Sequence, residues 1–125
     1  MNKTTRIALL LALLAGMLLA IAGCQQPAPE IIACITADPT IGYAPLTVAF
    51  DAACTYVPPE RAGSYDYRWE FGDGADASGR SAIHTFAAPG TYEVGIYLFD
   101  FGSPYPDVPE VLAYATRVIV VLPVP

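Results

Sequence analysis

Lysine disappears from this sequence after Lys3, and between Arg6 and Arg61 there is no basic side chain at all. Past the first 23 residues, four Arg stand against twelve Asp and Glu, a net charge of −8. Nucleic acid needs a basic patch for its phosphates, and anionic lipid needs one for its headgroups, so this balance excludes both as charge-driven partners. Histidine is nearly missing too: His84 is the only one. No metalloprotease helix, nucleophile elbow or phosphate loop can be traced. Twelve acids leave a carboxylate pair for glycoside hydrolysis open by count, but their spacing singles out no pair. Most read as the polar faces of strands and as surface charge. No aromatic residue precedes Tyr43; from there to Tyr114 lie all 14. A remainder this rich in Tyr, Val and Ile is not disordered. A chain of 125 residues holds one domain of ordinary size.

What is present begins with a leader. A short basic stretch, Met1 to Arg6, precedes an apolar run from Ile7 to Ala22. At 1.5 Å per residue that run spans roughly 24 Å, less than the about 30 Å of a bilayer core, so it reads as a secretory signal over residues 1–23 and not as a stable span. Its end, Ile21-Ala22-Gly23-Cys24, resembles the lipobox of bacterial lipoproteins. That resemblance implies cleavage before Cys24 and lipidation of its thiol; an ordinary signal peptide with a chance cysteine is the alternative. Acyl chains on Cys24 would hold the chain on a membrane without a spanning helix, exported and extracytoplasmic. Residues 24–30, with Gln25-Gln26-Pro27-Ala28-Pro29-Glu30, read as a tether reaching roughly 20 Å. By the sorting rule of two-membrane bacteria, Gln25 in place of Asp favours the outer membrane.

Residues 31–122 read as strands, and residues 123–125 as a tail. Period-two alternation recurs: Leu46, Val48 and Phe50; Tyr65, Tyr67, Trp69 and Phe71; Tyr92, Val94, Ile96 and Leu98 each alternate with more polar residues. Ile31 to Ala37, Ser81 to Phe86 and Leu112 to Leu122 are further candidate strands. Turn signals separate them: Asp38-Pro39, Gly42, Pro58-Pro59, Gly72-Asp73-Gly74, Pro89-Gly90 and the Pro-rich segment from Gly102 to Pro109. Six or seven short strands at this spacing predict an all-β, two-sheet antiparallel β-sandwich.

The residues that carry a family resemblance are Trp69-Glu70-Phe71-Gly72-Asp73-Gly74, His84-Thr85-Phe86, Pro89-Gly90-Thr91-Tyr92, and the upstream Asp38-Pro39 and Ala44-Pro45-Leu46-Thr47-Val48. Together they resemble the PKD domain, an Ig-like β-sandwich, over roughly Ala33 to Val121. The departures are the loop from Tyr56 to Ser64 and the segment from Gly102 to Glu110. The resemblance implies interaction with protein or carbohydrate, or a spacer role, without catalysis. Each signature residue also has a purely structural reading. Trp69 and Phe71 fill the space between the sheets, Gly72 and Gly74 allow a tight turn, and Asp73 accepts N–H bonds within it. His84 packs to fix the turn that follows, and Pro89, Gly90 and Tyr92 shape a hairpin. The competing functional reading is a carboxylate site of Asp73 and Asp76.

Cys34 and Cys54 remain once Cys24 is acylated. Their midpoint falls in the Gly42 to Pro45 turn, so a hairpin about it would place them opposite one another, about 4.5–5.5 Å apart at Cα and within disulfide range. Phase opposes this, since Cys34 points away from core-facing Ile35 while Cys54 is in phase with Phe50. A bulge between Asp51 and Cys54 would reconcile them; two free thiols are the alternative. No cofactor is expected. Calcium has candidate ligands in Asp51, Asp73 and Asp76, with Glu60 and Asp66 in place of the usual Asp-rich loop. Ligand contact is expected at the loop aromatics Tyr56, Tyr65, Phe101 and Tyr105. With no further domain in the sequence, binding of an envelope protein or carbohydrate is favoured over spacing. A remnant of a longer surface protein is the alternative, because Leu122-Pro123-Val124-Pro125 resembles the start of a linker, and a small hydrolase is the other.

Overall fold

A computed structural model describes residues 2–7, 30–63, 65–100 and 110–125. Cys24, the leader beyond Ile7, the tether before Glu30, Phe101 and Tyr105 lie outside the described residues. Eight strands follow in order: β1 (Thr36–Asp38), β2 (Ile41–Tyr43), β3 (Leu46–Asp51), β4 (Tyr65–Glu70), β5 (Asp76–Ser78), β6 (Ser81–Phe86), β7 (Gly90–Asp100) and β8 (Glu110–Leu122). They form two sheets, β1-β3-β6 and β2-β8-β7-β4-β5, in an Ig-like sandwich.

The alternations decide what lies between the sheets. Leu46, Val48 and Phe50 of β3 are buried while Thr47 and Ala49 are exposed. Trp69, Phe71, Val94, Ile96 and Ile119 close the core from the larger sheet. The Phe50 ring touches Trp69, Phe71 and Phe86 at centroid distances of 5.7, 5.5 and 6.5 Å. Trp69 is fully buried, and its indole N–H donates to the Gly79 carbonyl at 2.8 Å, so its polar atom is satisfied inside an apolar layer.

The structure corrects the sequence reading at three places. Gly42 sits in the middle of β2 and not in a turn, and β2 pairs with β8 in parallel, Ile41 beside Val120 and Tyr43 beside Leu122. The sandwich is thus not antiparallel throughout. Gly42 faces inward onto Leu46: a Cβ there would come within 2.5 Å of a Leu46 methyl, so glycine lets the chain pass between sheets. Secondly, Pro89-Gly90 is not a hairpin. β6 pairs with β3 while β7 pairs with β4 and β8, so the segment crosses from one sheet to the other. Tyr92 fixes that corner, its hydroxyl donating to the Ala88 carbonyl at 2.8 Å and its ring on Phe86 at 4.6 Å. Thirdly, β5 arises within what reads as loop; it is only three residues long and borrows its register from Arg68, Trp69 and Glu70.

The cysteines depend on a register change. β1 faces β3 with Thr36 opposite Asp51, yet Ile32 bridges Tyr56, so four steps on one side meet five on the other. The surplus residue falls in the turn closed by Thr55 N–H on the Ala52 carbonyl. It lets Cys34 and Cys54 meet in a disulfide with Cα atoms 5.5 Å apart.

Candidate functional site

Two constellations stand out: one ties the two sheets together at the turn after β4, and one lies on the outer face of the larger sheet. The first is the signature turn. Gly72 and Gly74 take φ of +80° and +91°, where side chains are strained, and a Cβ on Gly72 would come within 2.8 Å of the Glu93 carbonyl oxygen. Between them Asp73 Oδ1 accepts the Ala75 N–H at 3.0 Å, and Oδ2 lies 2.7 Å from His84 Nε2. The His84 ring lies flat on Phe71, centroids 4.1 Å apart, and edge-on to Phe86 at 4.7 Å. His84 is therefore a tie between β6 and the turn after β4. Burial works against the Asp73 charge, but the His84 hydrogen bond, the Ala75 N–H and the charge on His84 outweigh it and hold the carboxyl below its ordinary range.

A carboxyl depressed on folding contributes stability that is complete above its unfolded pKa of about 3.9 and is lost as pH falls through the lower folded value. The stability gap between wild type and Asp73→Asn should therefore narrow as pH drops below about 4. Urea unfolding from neutral to acid pH measures it, and a gap that widens in acid would contradict the assignment.

Asp76 is engaged elsewhere, 2.8 Å from Arg68 in a pair whose side chains are both more than half exposed. Asp73 and Asp76 thus serve separate cations and do not form a carboxylate pair. Asp51 turns its carboxylate to the Ala53 N–H. Glu60 stands exposed in the 3-10 turn Pro59–Arg61, and Asp66 exposed on β4. Among the described residues, no three His, Cys, Asp or Glu side chains converge as metal ligands would.

The second constellation is on the outer face, where strand register lines up side chains across the sheet. Tyr114 of β8 faces Tyr97 of β7, Tyr97 faces Arg68 of β4, and Arg68 faces Ser78 of β5. The adjoining row is Thr116, Gly95, Glu70 and Asp76. The Tyr97 and Tyr114 rings lie 4.8 Å apart, with Phe99 stacked 6.4 Å further along. Gly95 makes room: a Cβ there would sit 3.2 Å from the Tyr114 ring and 3.5 Å from Tyr97. The Tyr97 hydroxyl donates to Glu70 at 3.1 Å. Partial burial and then the Glu70 carboxylate raise its pKa, so it stays a neutral donor. Beside the rings is a hollow of about 440 Å³ walled by Arg68, Glu70, Gly72, Gly74, Ala75 and Asp76.

Of the expected contact aromatics that are described, Tyr56 lies in a loop and Tyr65 opens β4. Tyr56 is 54% exposed and bridges Ile32. Tyr65 donates its hydroxyl to the Arg61 carbonyl, and among the described residues neither ring pairs with another. The sequence held the signal for the sheet cluster: the β7 alternation that buries Val94 and Ile96 turns Gly95 and Tyr97 outward. Only the pairing with β8 supplies Tyr114.

A structure solved for carbohydrate-binding modules of the β-sandwich superfamily matches with a TM-score of 0.58 at 22% identity, covering 77% of this chain and 36% of that one. This chain therefore spans about a third of that protein's length. The PKD domain from the human VPS10 domain-containing receptor SorCS2 matches with a TM-score of 0.50 at 16% identity, covering 80% and 82%. No curated protein matches in sequence. Those likenesses concern the fold. The PKD domain family's own sequence profile fits residues 27–101, taking in the turn of Gly72 to Gly74, His84 and the Tyr92 corner, and the chain belongs to that family.

Proposed function

We propose that the chain is a non-catalytic binding module, lipid-anchored through Cys24 on the outside of a cell membrane or outer membrane. It takes carbohydrate or protein on the outer face of its larger sheet. The observation that carries this reading is the contiguous cluster of Tyr97, Phe99 and Tyr114 on that face. Rings held together at a surface offer stacking area that the fold itself does not need. Membership of the PKD domain family supports a non-catalytic role, and Asp73 and Asp76 pair with His84 and Arg68 respectively rather than with each other. The likeness to carbohydrate-binding modules supports carbohydrate as the first reading.

One sedimentation experiment tests it. Membranes carrying the full-length chain, metabolically labelled with a fatty-acid probe, are mixed with labelled polysaccharides and envelope extract and spun down. Wild type should sediment with acyl label and with intact ligand, and Cys24→Ser should move chain and ligand to the supernatant. Shortened polysaccharide, abolished by changing one carboxylate, would make the chain a hydrolase. A Cys24→Ser chain that still sediments, with wild type carrying no acyl label, would refute the anchor.

A further inference from the structure

The geometry of the outer face points to a more specific ligand: we infer that it binds an uncharged, linear polysaccharide, laid across the strands along Tyr114, Tyr97, Arg68 and Ser78. This rests on the binding-module reading and adds the ligand's class, its direction and the residues that hold it. Three inter-strand steps of about 4.8 Å give a track of roughly 14 Å, long enough for more than one sugar unit.

The two halves of the track match the two aspects of a sugar ring. A pyranose has apolar C–H faces and a hydroxylated rim. Tyr114 and Tyr97 present adjacent rings for the faces, over a floor kept low by Gly95. Past them the hollow places the Arg68 guanidinium beside the Asp76 and Glu70 carboxylates. Sugar hydroxyls donate and accept at once, so neighbouring hydroxyls suit a paired cation and anion, whose charges are already balanced before the ligand arrives.

Charge then selects among polysaccharides. Among the described residues, register places Asp66, Glu70, Asp76 and Glu93 on this face against one cation, Arg68. A uronate or sulfated chain would be repelled. A basic peptide would have to meet Arg68 at the centre of the track. The track is open at one end, where β5 is the edge strand of its sheet. At the other, Glu30 to Ala33 border a hollow with Leu112, Ala113 and Tyr114 and flank the first ring.

Calorimetric titration and amide NMR of the full-length protein in detergent micelles test the assignment. The probes are neutral hexasaccharides of β-linked glucose, mannose, xylose and N-acetylglucosamine, a galacturonate hexamer and a lysine-rich peptide. At least one neutral hexamer should bind, at least tenfold more tightly than its disaccharide, and shift the amides of Arg68, Gly95 and Tyr97. Tyr97→Ala and Tyr114→Ala should each weaken it tenfold or more. Gly95→Val, which keeps both rings but displaces them, should weaken it too; thermal melting confirms that each variant is folded. Binding of galacturonate or peptide at these residues, with no neutral hexamer bound, overturns the ligand class and leaves the binding module standing. No probe shifting these residues, while membranes still retain ligand, overturns the face as the site. Ligand retained by neither assay overturns both readings together.

Discussion

Replacing Trp69 with alanine should lower stability by about 3–5 kcal/mol, the usual cost of emptying a large aromatic site in a packed core. A small domain has only about 5–15 kcal/mol in total, so the variant should be largely unfolded on modest warming. The reason lies in what the side chain touches. Trp69 has no exposed surface, packs on Phe50 and lies in the layer that Phe71 and Phe86 complete. Its N–H is also the donor that holds the Gly79 carbonyl. Alanine removes ring and donor together, leaving a void and an unpaired carbonyl. Trp69→Phe separates the two losses, since it keeps most of the volume and drops the bond; it should cost less than half as much. Equilibrium denaturation of both variants measures this. An alanine variant melting within a few degrees of wild type would place Trp69 at the surface and contradict the packing.

Much of the sandwich was legible because alternation is a local property. Trp69, Phe71, Val94 and Ile96 are inward in the sequence pattern and inward in the fold. The missing pieces share one cause: they are set by partners far away in the chain. β2 is three residues long with a glycine at its centre, and it is a strand only because Val120 to Leu122 run beside it. Pro89-Gly90 has the composition of a hairpin turn, and nothing local says that β7 will join the other sheet. The same limit applies to the binding face. Tyr97 could be assigned outward from its own strand, but its neighbour Tyr114 lies 17 residues away and is brought beside it only by the β7–β8 register. Loops commonly carry binding residues, which is why loop aromatics read first as contacts; Tyr97, Phe99 and Tyr114 stand on strands, and only the sheet register brings Tyr114 to the other two.

Breaking the Cys34–Cys54 bridge is the second large effect expected. The bridge closes a loop of sequence separation 20, for which chain entropy alone gives about 3 kcal/mol of stability. Its position raises the consequence. β1 is a three-residue edge strand, and the chain before it is tied to the domain by the Ile32–Tyr56 bridge and by Cys34 N–H on the Thr55 hydroxyl. Ile31 and Ile35, both buried, ride on that same segment. Reduction should therefore release the edge as well as the loop, exposing apolar surface that the disulfide holds in place. A melting point lower by roughly 10 °C or more is the expected result with reductant, and the same for Cys54→Ala without it. Cys54 is exposed and Cys34 half-buried, so reductant has access to the sulfurs. Hydrogen exchange adds a readout of place. Protection should fall first at Ile32, Cys34 and Tyr56, while the Val94 and Ile96 amides of β7 stay protected until global unfolding. Two alkylatable thiols in protein isolated without reductant, together with an unchanged melting point on adding it, would reject the bridge and leave the surplus residue between Asp51 and Tyr56 without a role.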